Sequence, residues 1–113
     1  MATTTVPALL ATAYPAAQVA AVLRDALITA VRAIARIRGT AVPSRDDDLI
    51  VAVIEIDSLS VVEILNTLDE LLGFEVGDYA VRPGGYNSIS EAIDDVGKRI
   101  AKEWRRRHGG AQP

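Results

Sequence analysis

The chain reads as an all-α bundle of three main helices, with extended first and last members and a short fourth helix before the last. Three observations predict this. Apolar residues recur at steps of three and four over 15–38, 58–72 and 88–107, the spacing that gathers side chains on one face of a helix. Stop and start signals bracket those stretches: Gly39 and Gly73 follow two of them, and Ser88-Ile89-Ser90-Glu91 opens the third with capping-box spacing. Apolar residues make up 50% of the 113-residue chain, and alanine, which suits helices, is prominent.

The elements follow in order. Residues 1–13 are small residues and threonines with little periodicity and are expected to be flexible. Residues 14–107 form the helical domain, and 108–113 a flexible tail. Tyr14-Pro15 marks the start of the first helix, with Pro15 in its first turn. Its expected buried stripe is Val19, Val22, Leu23, Leu27, Ala30, Val31, Ile34 and Ile37. Pro43 to Asp48 reads as a solvated turn. The β-branched run Leu49–Ile56 has strand propensity. A single strand among helices has no partner for its backbone groups. The run is therefore expected to be a loop with a short helical turn, tucked across helix ends.

The central stretch begins at Asp57-Ser58. Either residue suits the cap position, where a side-chain oxygen accepts a free N–H of the first turn. Leu59, Val62, Leu65, Leu68 and Leu72 share a face, and Glu63, Asp69 and Glu70 occupy others. Gly77 to Gly85 is irregular, with a short helix near 78–81 and a break at Pro83-Gly84-Gly85. Asn87 or Ser88 caps the last helix, which buries Ile89, Ala92, Ile93, Val96, Ile100 and Trp104 and runs to Arg107. Trp104 is expected to cap the bundle.

The net charge of −3 hides a pattern. Residues 46–95 hold 13 acids against Arg82 alone, whereas the segments on either side are net basic. An acidic body with basic arms favours basic protein partners and repels nucleic-acid phosphate. Most catalytic chemistry is excluded. The single histidine, His108, lies far from Ser58 in sequence, and a serine nucleophile needs a base beside it. No cysteine is present, and Asp46-Asp47-Asp48 lacks the alternating spacing of a calcium loop, so no metal site is expected. No apolar run is long enough to span a membrane, and no basic residue precedes Arg24 as a secretory signal would require. A cytoplasmic protein without catalysis of its own is expected.

The segment Glu55-Ile56-Asp57-Ser58-Leu59-Ser60-Val61-Val62-Glu63-Ile64-Leu65 resembles the phosphopantetheine attachment site of acyl carrier proteins. Asp57, Ser58, Leu59, Val62 and Glu63 match family positions. Leu68–Asp78 resembles the end of the family's second helix and the segment after it, and Ser88–Asp95 resembles the opening of its final helix. The sequence departs from the family in having Glu55 for a common glycine, Ser60 where many fatty-acid carriers have an acid, and a more apolar Val61.

The resemblance implies an acyl-carrier-like bundle. Ser58 would bear 4′-phosphopantetheine from coenzyme A, and Asp57 would support the attachment site. The arm would hold an acyl, aminoacyl or polyketide chain as a thioester. Leu59, Glu63, Asp69 and Glu70 would meet partners, with Leu59 either exposed for docking or sealing the core. The implied partners are a phosphopantetheinyl transferase, a loading enzyme, and downstream transferases, synthases or tailoring enzymes with basic docking surfaces. The departures point to polyketide, nonribosomal peptide or modified lipid assembly rather than generic fatty acid synthesis. A carrier-fold interaction module without the arm is the alternative. A monomer is favoured over a dimer.

Overall fold

The computed structural model describes residues 13–109, with backbone only at the last two. The flexible ends expected at 1–13 and 108–113 therefore lie, save for Ala13 and that backbone, outside the described residues. The elements run α1 (Ala16–Arg38), α2 (Asp46–Val51) and α3 (Ser58–Leu65). A 3-10 turn (Asn66–Leu68) leads into α4 (Asp69–Leu72), a second (Asp78–Ala80) follows, and α5 (Ile89–Trp104) ends in a π turn over Arg105–Gly109. The result is an all-α bundle in which the first and last helices are the longest.

α1 starts one residue after Pro15, which takes the cap position, and Gly39 ends it in the left-handed conformation at φ 68°. Its buried face is Val19, Leu23, Leu27, Ile28, Val31 and Ala35. That differs from the expected stripe at its C-terminal end, where Ile37 is 85% exposed. Ile37 faces solvent in the last turn, whereas Ala35 two residues earlier stays buried.

The connection after α1 is more ordered than a solvated turn. Asp46, Asp47 and Asp48 form the first turn of α2, where their charges oppose the positive end of the helix dipole. Arg32 fixes this corner: it donates to the carbonyls of Pro43 (2.9 Å) and Ser44 (3.0 Å) and to Asp46 (2.9 Å). Leu49 is fully buried and anchors the short helix to the core.

The β-branched run finds a partner that its sequence alone does not supply. Ile56 and Tyr86 exchange both backbone hydrogen bonds at 2.8 Å, and Ile54 N–H donates to the Asn87 carbonyl at 2.8 Å. This is a single antiparallel bridge, placed immediately before α3. Gly85 makes it possible: it has φ +83°, and a Cβ there would sit 2.1 Å from the Ile56 carbonyl oxygen. Tyr86 is buried, and its hydroxyl donates to Asp95 (2.6 Å) while accepting from the Arg82 N–H (2.9 Å). Arg82 stacks over the Tyr86 ring at 4.7 Å and binds Glu91 at 2.6 Å, so α5 holds the bridge from behind.

α3, the turn and α4 form one nearly continuous helical rod ending at Gly73, φ 80°. Val61, Leu65, Leu68 and Leu72 are its buried face, stepping 4, 3 and 4 residues. Each such burial contributes on the order of 1.5–3 kcal/mol. α5 begins as expected: Ser88 Oγ accepts the Glu91 N–H at 3.0 Å, while Glu91 accepts from Asn87 N–H, one residue before the usual capping-box partner. Ile89, Ala92, Val96, Ile100 and Trp104 are buried, and Ile93 is half-buried. Trp104 closes one end of the bundle between Tyr14 (centroids 6.0 Å) and Phe74 (6.4 Å).

Two neighbouring glycines separate strain from collision. Gly84, also at positive φ, faces open space, so Gly84→Ala should cost only the left-handed penalty of roughly 1–2 kcal/mol. Gly85→Ala adds a backbone clash and should cost about 3 kcal/mol or more. Thermal unfolding should show Gly85→Ala melting well below Gly84→Ala; equal melting temperatures would contradict the close approach. In a second test, burial first and then the Asp95 hydrogen bond push the Tyr86 phenol up to about 12. The unfolded chain therefore releases this proton at lower pH than the folded one, and stability falls as pH rises from about 10 to about 12. Tyr86→Phe should flatten part of that alkaline loss.

Candidate functional site

The bridge delivers the chain to Asp57, the cap of α3. Its carboxylate accepts the Ser60 N–H at 2.7 Å, so Asp57 rather than Ser58 takes the capping role. The Ser60 N–H, the Ser60 hydroxyl, the Leu59 N–H and nearby Arg38 hold the Asp57 carboxyl below the usual aspartate value. Ser58 is then the first helical residue, half-buried, and no hydrogen bond ties its side chain among the described residues.

Leu59 is 72% exposed, which resolves its two readings in favour of solvent. The expected apolar face therefore begins at Val61 instead, because the helix turns Leu59 outward by two positions. Leu59, Glu63, Asn66 and Glu70 are all exposed and step 4, 3 and 4 residues, a stripe opposite the buried one. Its composition is one leucine at the head of two carboxylates, beside Ser58. Asp69 behaves differently: it is half-buried, and its Oδ1 accepts the Val76 N–H at 2.9 Å. Asp57, Ser58 and Leu59 thus stand at the start of the rod, Glu63 and Glu70 follow Leu59 along its exposed stripe, and Asp69 is committed to holding the following segment.

The electrostatic surroundings match the sequence pattern. Arg82 is engaged with Gly85 and Glu91, and Arg32 with residues 43–46, so neither neutralises the α3 stripe. Among the described residues no group of three or more His, Asp or Glu is placed to hold a metal ion. No helix of the described residues is long and apolar enough to cross a membrane.

One feature lies beyond the sequence reading. A cavity of about 130 Å³ opens between the C-terminal half of α1, residues 54–57 and α3, and its lining includes the polar residues Arg38, Thr40, Glu55, Asp57 and Ser60. The signals were present in the surplus isoleucines at the end of α1 and in the apolar run 49–56, but nothing in the spacing says that these two segments face each other.

Asp57 offers a direct test of the cap. Its contribution to stability is present above the ordinary aspartate value of about 3.8 and is lost as pH falls through the lower folded value. Asp57→Ala should cost about 1 kcal/mol at neutral pH. Melting curves should show the gap to wild type narrowing on acidification below about 3.8; a constant gap would contradict the cap. Compared with family models, with curated proteins and with solved structures, the chain matches none.

Proposed function

We propose that the chain is a non-catalytic carrier of the acyl-carrier type, which bears 4′-phosphopantetheine on Ser58 and presents acyl, aminoacyl or polyketide groups to partner enzymes. The observation that supports this reading most is an untied, half-exposed serine hydroxyl at the head of the rod that carries the exposed Leu59–Glu63–Glu70 stripe. The residues fit the group. A phosphate ester at the first position of α3 meets the positive end of the helix dipole, and the rod continues through residue 72, so that dipole is sustained. Asp57 keeps the first turn wound, which fixes the direction in which Ser58 points.

Attachment needs a transferase. The Ser58 oxygen bonds to the phosphorus next to the pantetheine of coenzyme A, the diphosphate bridge breaks, adenosine 3′,5′-bisphosphate leaves, and the serine proton passes to a base of the transferase. Asp57 is a poor base for this step, because its carboxylate accepts the Ser60 N–H as a cap and its pKa is lowered below the usual aspartate value. Once attached, the arm's terminal thiol supplies the thioester linkage to the carried group. Glu63 and Glu70 steer basic partners, and Leu59 is the apolar anchor at the head of the encounter surface. The same stripe suits the alternative of an unmodified interaction module, which shares the docking face but not the arm. Pathway enzymes of polyketide, nonribosomal peptide or modified lipid assembly are the partner class that the apolar segment around Val53 favours.

Incubation with coenzyme A, Mg²⁺ and broad-specificity phosphopantetheinyl transferases should add one phosphopantetheine group, read by intact mass. Ser58→Ala should abolish the addition, and Ser90→Ala should leave it unchanged. No addition to the folded wild type would reject the carrier and leave the interaction module. Leu59→Ala combined with Glu63→Lys should lower the transferase kcat/KM by about tenfold or more without changing the melting temperature by more than a few degrees.

A further inference from the structure

We infer that Arg38 is the counter-charge for the phosphate of an arm on Ser58, and that it holds the root of that arm toward the C-terminal end of α1. This role rests on the carrier reading, and it falls to a residue outside the segments that resemble the family.

The need is electrostatic. A phosphodiester at Ser58 adds one negative charge to a stretch that is already acidic. Glu55, Asp57 and Glu63 lie close to Ser58 in the chain, all three are exposed, and none is in an ion pair among the described residues. Like charges so placed oppose the added one. Residues 46–95 hold a single base, Arg82, and it is committed to Glu91 at 2.6 Å. The compensating charge therefore comes from outside that stretch. Arg24 and Arg45 lie against Asp47 (3.4 and 3.8 Å) and Arg32 against Asp46 (2.9 Å), so these three are engaged.

The geometry singles out Arg38. It stands in the last turn of α1, immediately before the left-handed Gly39. Its guanidinium is in no hydrogen bond or ion pair among the described residues. α3 packs against α1, and Arg38 lines the cavity between them together with Asp57 and Ser60, which flank Ser58 in the chain. No other base among the described residues lines it. The Asp57 carboxyl registers this charge: the hydrogen bonds from Ser60 lower its pKa most, and Arg38 lowers it further. Arginine suits the task, because its planar fork donates two parallel N–H bonds to phosphate oxygens and is more weakly hydrated than an ammonium. Arg36 provides the contrast. It is a base in the same helical turn and is exposed, yet it does not line the cavity.

Melting curves of the full chain with and without the arm test this role. In low salt, attachment should lower the melting temperature of Arg38→Gln by about 2 °C or more beyond its effect on wild type. The excess should vanish in about 1 M salt, where the screening length is about 3 Å. Arg36→Gln, which removes the same charge from the same turn, should respond as wild type does, and Arg38→Lys should recover part of the loss. In NMR spectra the Arg38 Nε–H signal should shift on attachment while that of Arg36 stays in place. Ser58→Glu puts an anion at the same position without an arm, and its melting should show the same salt-sensitive dependence on Arg38. Equal responses of Arg36→Gln and Arg38→Gln, or an excess that persists in high salt, would overturn the role of Arg38. If Ser58 takes no arm in any variant, the carrier reading fails, and the Ser58→Glu comparison still decides whether Arg38 faces an anion at that position; no dependence on Arg38 there would reject it.

Discussion

The pair of backbone hydrogen bonds between Ile56 and Tyr86 is the constraint on which the rest of the structure depends. Helices satisfy their own backbone groups, so a helical bundle can leave its connections loose. Here the connection into α3 is clamped instead, two residues before Ser58, by a segment that belongs to the approach to α5. The clamp is tight because Gly85 has no side chain to keep the two backbones apart. It is stiff because Tyr86 is itself pinned by Asp95 and Arg82. A chain of contacts thus runs from α5 through Tyr86 and Ile56 to the first turn of α3, and it sets both the position and the direction of that turn.

What the clamp presents is a two-sided rod. Val61, Leu65, Leu68 and Leu72 point into the core, and Leu59, Glu63, Asn66 and Glu70 point away from it. The exposed side gathers like charge at modest cost, because the carboxylates face water and are screened. The burial side supplies the stability. This separation lets the surface be shaped for encounter without weakening the fold, and it accounts for the single exposed leucine at the head of an otherwise polar stripe.

Much of this was legible in the residues. The three-and-four spacing gave the long helices, Gly39 and Gly73 gave two of their ends, and Ser88 gave the start of the last. Helix ends are local, written in caps and glycines a few residues away. The less legible parts are those that depend on distant partners. The run Leu49–Ile56 looked like a strand without a neighbour because its neighbour, Tyr86, lies 30 residues on and in a segment with no strand pattern. Leu59 fitted the apolar face by spacing alone, and only the seating of the rod on α1 turned Val61 inward in its place. Asp69 read as a surface charge, yet it caps the N–H of Val76 seven residues later. The cavity needed two segments to be brought together that share no sequence signal.

Native-state hydrogen exchange at the residues around Ser58 tests the clamp most directly. The Ile56 and Tyr86 amide protons should exchange as slowly as those at the centre of α5, through global unfolding, while the Ser58 amide at the open first turn exchanges fast. Exchange at Ile56 and Tyr86 as rapid as at Ser58 would contradict the account, because the serine would then have no fixed seat on the bundle.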